Sequence, residues 1–217
     1  MIGLENVSKS YRTDGRANII LDDVSVDFEP GHSYALLGVN GAGKSTTLRL
    51  ISGVELPNSG RVRRSRRISW PLGFATGFHP HMTGGENVHF VARVYGEDPS
   101  RIARFVQEFA EIGDYMRRPV RTYSSGMMAR LAFGLSMAIE FDCYLIDEIT
   151  AVGDARFQAR CKQAFDARRA HSDLIVVSHS METVSTLCTR GAVLVEGKLL
   201  LYGEVDQAIR AYLRLNR

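Results

Sequence analysis

A chain of 217 residues, 45% hydrophobic and with a formal charge of +3, is long enough for one folded domain with a real core. The charge is too small for a dedicated nucleic-acid binder, and no segment approaches the roughly eighteen uninterrupted apolar residues of a spanning helix. Three widely spaced cysteines, Cys143, Cys161 and Cys188, fit neither a disulfide framework nor a zinc site, so a reducing compartment and a soluble chain are expected.

Met1 leads straight into a strand-like run, Ile2 to Val7, without the basic start and apolar stretch of a signal peptide. Further apolar runs follow at Leu21 to Phe28 and Tyr34 to Leu37. Directly after the latter, Gly38 to Thr46 reads GVNGAGKST, a phosphate-binding loop entering a helix over Lys44 to Ser52. Triphosphate oxygens need many donors at close range. Gly38, Gly41 and Gly43 let the backbone N–H groups of Asn40, Gly41, Ala42, Gly43 and Lys44 approach, and the helix start adds its positive dipole end. Lys44 is placed on the outer phosphates, the Ser45 hydroxyl on Mg²⁺, and Thr46 on an inner phosphate of the nucleotide.

Arg61, Arg63, Arg64, Arg66 and Arg67 form a basic run that reads first as a solvated strand edge or hairpin, and second as an anionic-lipid or nucleic-acid patch. Helical patterns then succeed one another at Glu86 to Tyr95, Ser100 to Glu111 and Ser125 to Ile139, which predicts a helical subdomain over 81–140 inserted in an α/β core of 1–80 and 141–217. His79, His81 and His89 have neither metal-ligand spacing nor an acidic cluster and read as surface or interface residues. Gly73, Gly77, Gly84 and Gly85 point to a mobile connection between the subdomains.

The buried strand at Tyr144 to Ile146 ends in Asp147, whose carboxylate is expected to hold Mg²⁺, followed by Glu148, expected to orient and deprotonate the attacking water. A helix over Phe157 to Ala170, a strand at Leu174 to Val177, a helix at Met181 to Leu187 and a strand at Ala192 to Val195 complete a mostly parallel sheet covered on both faces. The last segment puts Val205, Ala208, Ile209, Tyr212 and Leu213 on one helical face, which reads first as docking on the protein's own core and second as contact with a partner or membrane.

The segment from Tyr123 to Phe133, YSSGMMARLAF, upstream of Asp147 and Glu148, resembles the signature and Walker B regions of ATP-binding cassette (ABC) proteins, with Ser124 and Gly126 matching and Tyr123, Ser125 and Met127 departing. The resemblance implies a single domain of P-loop NTPase (RecA-like) α/β fold with an N-terminal β subdomain. It implies that Tyr11 stacks on adenine and that His179 contacts the γ-phosphate and the water. It also implies a head-to-tail homodimer in which Ser124, Ser125 and Gly126 reach the partner's nucleotide, with Asp154 across the seam. ABC proteins usually place a glutamine between the P-loop and the helical subdomain, whereas the first glutamine here is Gln107.

Ile149 to Cys161, ITAVGDARFQARC, and Ile68 to Gly96 look like the ATP-binding subunits of bacterial surface-polysaccharide exporters, the second segment like those of Gram-negative capsule exporters. This implies an ATPase bound peripherally at the cytoplasmic face of the inner membrane to a separate polytopic permease, acting indirectly on lipid-linked capsular polysaccharide, with no nucleic-acid partner. Two other readings stand beside it: a soluble ABC ATPase acting on nucleic acid or ribosomes, which the basic run would serve, and a P-loop small-molecule kinase, which leaves Glu148 and His179 unexplained.

Overall fold

The structure is a computed structural model in which residues 1–13, 16–72, 77–147 and 154–215 are described. In chain order the elements are β1 (Ile2–Thr13), β2 (Arg16–Phe28), β3 (Tyr34–Leu37), α1 (Lys44–Ser52), β4 (Ser59–Arg64), β5 (Ile68–Pro71), α2 (Gly84–Val94), α3 (Pro99–Ala110) and α4 (Ser125–Ala138). There follow β6 (Cys143–Asp147), α5 (Ala155–Arg169), β7 (Asp173–Val177), α6 (Met181–Leu187), β8 (Arg190–Val195), β9 (Lys198–Tyr202) and α7 (Val205–Leu215). They fall into two compact units, the first from 1–71, 141–149 and 172–217, the second from 72–140 and 150–171.

The first unit holds two sheets. The larger has the order β5-β6-β7-β3-β8-β9, parallel except where β9 returns antiparallel beside β8. Its central strands are short apolar runs buried along their length, as expected of strands covered on both faces: Tyr34, Ala35, Leu36 and Leu37 in β3, and Leu174, Ile175, Val176 and Val177 in β7. Fully burying each of the larger side chains contributes roughly 1.5–3 kcal/mol. The second sheet, β2-β1-β4, is antiparallel, and β1 carries register shifts between Leu4 and Val7 and again around Lys9. Asn6 in β1 and Asp23 in β2 sit at positive φ there, 50° and 49°.

The basic run is absorbed by this unit. Arg61 and Arg63 both pair with Glu5, Arg63 also meets Asp27 at 2.9 Å, and Arg66 pairs with Asp173. Arg64 donates to the carbonyls of Leu50 (2.5 Å) and Ile51 (2.7 Å), satisfying the carboxyl end of α1. The run is therefore a set of internal fastenings as well as a strand edge. At the other end of the chain α7 docks on β8: a Cβ at Gly191 would stand 2.2 Å from that of Ala208, so glycine is what permits the approach. Burial pushes the thiols of Cys143 and Cys188 up to about 12 and that of Cys161 up to about 11, leaving all three protonated and poor nucleophiles.

The second unit is helical. Phe109 of α3 is its hub, stacking on Phe105 and on Phe133 of α4 and meeting Phe157 of α5 edge-on at 5.6 Å. The helix expected over Phe157 to Ala170 as a cover for the sheet thus belongs to this unit, its carboxyl end held by Arg168, which donates to the Met137 carbonyl at 2.8 Å. α2 begins with a reciprocal capping box between Thr83 and Glu86. The buried Asn87 clasps the preceding turn, its Oδ1 accepting from His79 N at 2.7 Å while Nδ2 donates to the carbonyls of His79, Met82 and Thr83. No helix among the described residues is long and apolar enough to cross a membrane.

Candidate functional site

Parallel pairing of β6 and β3 on either side of β7 brings the carboxyl ends of all three strands to one edge of the sheet, the usual ligand edge of such folds. β3 runs there into the phosphate loop, β6 delivers Asp147, half-buried at its last position, and β7 leads two residues on to the exposed His179. Glu148 lies outside the described residues.

The loop is shaped by its glycines. A Cβ on Gly38 would stand 2.7 Å from the Leu194 carbonyl, so the loop lies directly on the backbone of β8. Gly41 adopts φ +81° in open space. Gly43 adopts φ +105°, and a Cβ there would meet the Ile20 Cγ2 at 2.3 Å. Gly43 is also the N-cap of α1 and supplies no side-chain acceptor, so the first-turn N–H groups of α1 keep their donors for a ligand rather than for a cap. This donor set fits a phosphate chain. Lys44 arches over the loop, Nζ donating to the carbonyls of Gly38 (2.7 Å) and Val39 (3.0 Å), while Asn40 is exposed and Ala42 and Ser45 are half-buried. A hydroxyl at Ser45 and a carboxylate at Asp147 are the hard oxygen ligands that Mg²⁺ takes alongside phosphate and water. Gly43→Ala should cost about 1–3 kcal/mol through strain and the clash with Ile20, seen as a lower melting temperature without nucleotide; an unmoved melting curve would contradict this geometry.

Thr46 is almost fully buried and its Oγ1 accepts a hydrogen bond from Arg49 at 3.0 Å. Tyr11, in β1, is half-buried against the core, with its hydroxyl bonded to Glu55 at 2.5 Å and Lys9 over its ring. Neither Arg49 nor Glu55 belongs to a motif; the i,i+3 spacing of Thr46 and Arg49 on α1 was the one local signal of this arrangement.

In the second unit, Ser124 is the N-cap of α4, its Oγ accepting from Met127 N at 3.2 Å. Ser124, Ser125 and Gly126 are all exposed, and nothing closer than the Ser124 hydroxyl at 4.0 Å crowds Gly126. Tyr123 anchors the turn: its hydroxyl donates to the Tyr115 carbonyl at 2.6 Å. It also fills the space over Gly84, where a Cβ would stand 2.2 Å away, so Gly84 serves close packing at the first residue of α2. Asp154 is the N-cap of α5. The Phe157 N–H at 2.9 Å, outweighing partial desolvation and joined by the Arg130 guanidinium at 3.0 Å, holds its carboxyl below the usual range. Arg130, which the motifs did not single out, lies on α4 and also packs over the Phe157 ring at 4.3 Å and pairs with Glu111 at 3.8 Å.

Comparison with known proteins gives a consistent picture. The family model described as ABC transporter matches residues 21–151. The ATP-binding protein BexA of Haemophilus influenzae is 45% identical, and the capsule polysaccharide export ATP-binding protein CtrD of Neisseria meningitidis serogroup B is 46% identical, each over 98% of both chains. The polysialic acid transport ATP-binding protein KpsT of Escherichia coli is 49% identical over the same shares. Among solved structures, the dimeric ATP-binding cassette MJ0796 in a post-hydrolysis state bound to ADP and Pi superposes with a TM-score of 0.72 over 94% of this chain and 98% of its own, at 20% identity, which bears on the fold.

Proposed function

The chain belongs to the ABC transporter family, and from that premise we propose that it is the ATP-hydrolysing subunit of an exporter of lipid-linked capsular polysaccharide, working as a pair on a separate membrane permease at the cytoplasmic face of the inner membrane. The observation that carries the cargo is end-to-end similarity, 45–49% identity over 98% of each chain, to ATP-binding proteins two of which are named for capsule polysaccharide export and polysialic acid transport. The alternative, an ABC ATPase acting on nucleic acid or ribosomes, rested on the basic run, most of which is engaged in internal pairs.

In this reading the phosphate loop from Gly38 to Thr46 wraps the triphosphate, Lys44 moves from the loop carbonyls to the outer phosphates, and Tyr11 stacks on adenine. Mg²⁺, held by Ser45 and Asp147, would draw charge from the phosphate oxygens. Glu148 takes the proton of the attacking water, and His179 orients that water against the γ-phosphate. Two copies meet head to tail, so that Ser124, Ser125 and Gly126 of one subunit present the N–H groups and dipole of α4 to the γ-phosphate bound by the other, with Asp154 at the seam. The uncapped start of α1 and the exposed start of α4 support these roles. Hydrolysis breaks the bond between the γ-phosphorus and the bridging oxygen, and the pair opens on like-charged products; this is the stroke handed to the permease.

Removing the gene from its own cells should leave polysaccharide inside and none on the surface, with the wild-type chain restoring export and Lys44→Ala failing to. Normal surface polysaccharide in the deletion, or salt-sensitive binding of RNA or DNA by the purified chain, would overturn the assignment.

A further inference from the structure

The residues assigned to the two ends of the nucleotide, Tyr11 for the base and Thr46 for an inner phosphate, are joined by polar contacts that no motif contains. The Tyr11 hydroxyl donates to Glu55 Oε1 at 2.5 Å. The other oxygen, Oε2, accepts from Arg49 Nε at 3.0 Å. Arg49 Nη2 donates to Thr46 Oγ1 at 3.0 Å and reaches the Tyr11 hydroxyl at 3.4 Å. Lys9 closes the group, with Nζ at 2.7 Å from Glu55 Oε1, 2.9 Å from the Leu56 carbonyl and 5.2 Å from the Tyr11 ring centroid.

We propose that Arg49 and Glu55 are positioning residues for the adenine nucleotide, setting the Tyr11 ring and the Thr46 hydroxyl as one coupled unit. The proposal rests on the reading that Tyr11 stacks on adenine and Thr46 touches phosphate. Its physics is local. Lys9 Nζ lies over the ring, and the hydroxyl anchored on Glu55 fixes the tilt at which that ring meets a base. A threonine hydroxyl has one proton and two lone pairs. With the Arg49 guanidinium donating to Oγ1, the proton is turned away from Arg49 and is the one Thr46 gives to a phosphate oxygen. Burial alone would raise the Glu55 carboxyl, yet hydrogen bonds from Lys9, Tyr11 and Arg49 hold it down at about 2, so it remains an anion at neutral pH.

The test measures equilibrium binding of ATP and of inorganic tripolyphosphate, both with Mg²⁺, to the full chain and to Tyr11→Phe, Glu55→Ala, their double variant, Arg49→Met and Tyr11→Ala. Tyr11→Phe keeps the ring and removes only its anchor. That variant should weaken ATP about tenfold, one hydrogen bond's worth, while tripolyphosphate binding stays within about twofold; Glu55→Ala, which also releases Arg49, should weaken ATP about as much. The double variant should lose little more than either single one, because both break the same contact. Arg49→Met should weaken both ligands. General loss of structure would lower both ligands together, so the ratio of the two affinities isolates positioning at 11 and 55, and for Arg49→Met a circular-dichroism spectrum matching the wild type separates positioning from unfolding. Unchanged or fully additive losses at positions 11 and 55, with Tyr11→Ala still weakening ATP, would overturn the coupling alone; ATP binding unmoved in Tyr11→Ala would overturn the adenine reading, and the proposal with it.

Discussion

Glu148→Gln should bind ATP as tightly as the wild-type chain and hydrolyse it about a hundredfold more slowly or worse, the scale of a lost general base. The amide keeps the size of the side chain and can still hold a water, but it cannot take that water's proton at neutral pH. The phosphate loop, Lys44, Ser45 and Asp147 are untouched, so the groups proposed to hold the triphosphate stay in place. On the proposed cycle, in which the pair opens on cleavage, the variant should also accumulate as an ATP-bound dimer, visible as a doubled mass by light scattering beside a flat phosphate-release trace. Turnover near the wild-type rate would take Glu148 out of its role.

Ser124→Arg should have the complementary effect. Ser124 is exposed at the start of α4, so a larger side chain is tolerated there, and the cost of the lost cap is about 1 kcal/mol. Affinity of the monomer for nucleotide should stay within about twofold of wild type. Across a dimer seam the same side chain would bury a bulky, misplaced group against the partner's nucleotide and withdraw the N–H donors aimed at it. Removing one such preorganised donor site costs on the order of a hundredfold in rate. Introduced beside Glu148→Gln, Ser124→Arg should also abolish the trapped dimer. A variant that hydrolyses ATP normally as a monomer would show that each copy is a complete catalyst.

Much of this arrangement is legible in the residues themselves. The phosphate loop is local: strand, glycines, lysine and helix are contiguous, and the buried runs of β3, β6 and β7 are apolar enough to read as central strands. The helix bounds of α2, α3, α4 and α6 follow from caps such as Thr83, Asp98, Ser124 and Ser180, whose side chains accept from the first turn. What periodicity misses is long-range. β4 reads SGRVRR, with one apolar residue, and is a strand because β1 pairs with it. The length of β1 is hidden by the register shifts that break its alternation. The placement of α5 depends on Phe157 and Arg168 finding α3 and α4, and the Tyr11, Glu55 and Arg49 group spans 44 residues of sequence. A lone charge has no spacing to betray its partner.

Arg130 joins three helices of the second unit: from α4 it meets the carboxylate capping α5, the Phe157 ring behind that cap, and Glu111 at the end of α3, which Arg160 of α5 also grips at 2.8 Å. A truss with shared joints answers a load as a whole. The three helices thus share one guanidinium, and displacing any of them disturbs contacts on which the other two also draw.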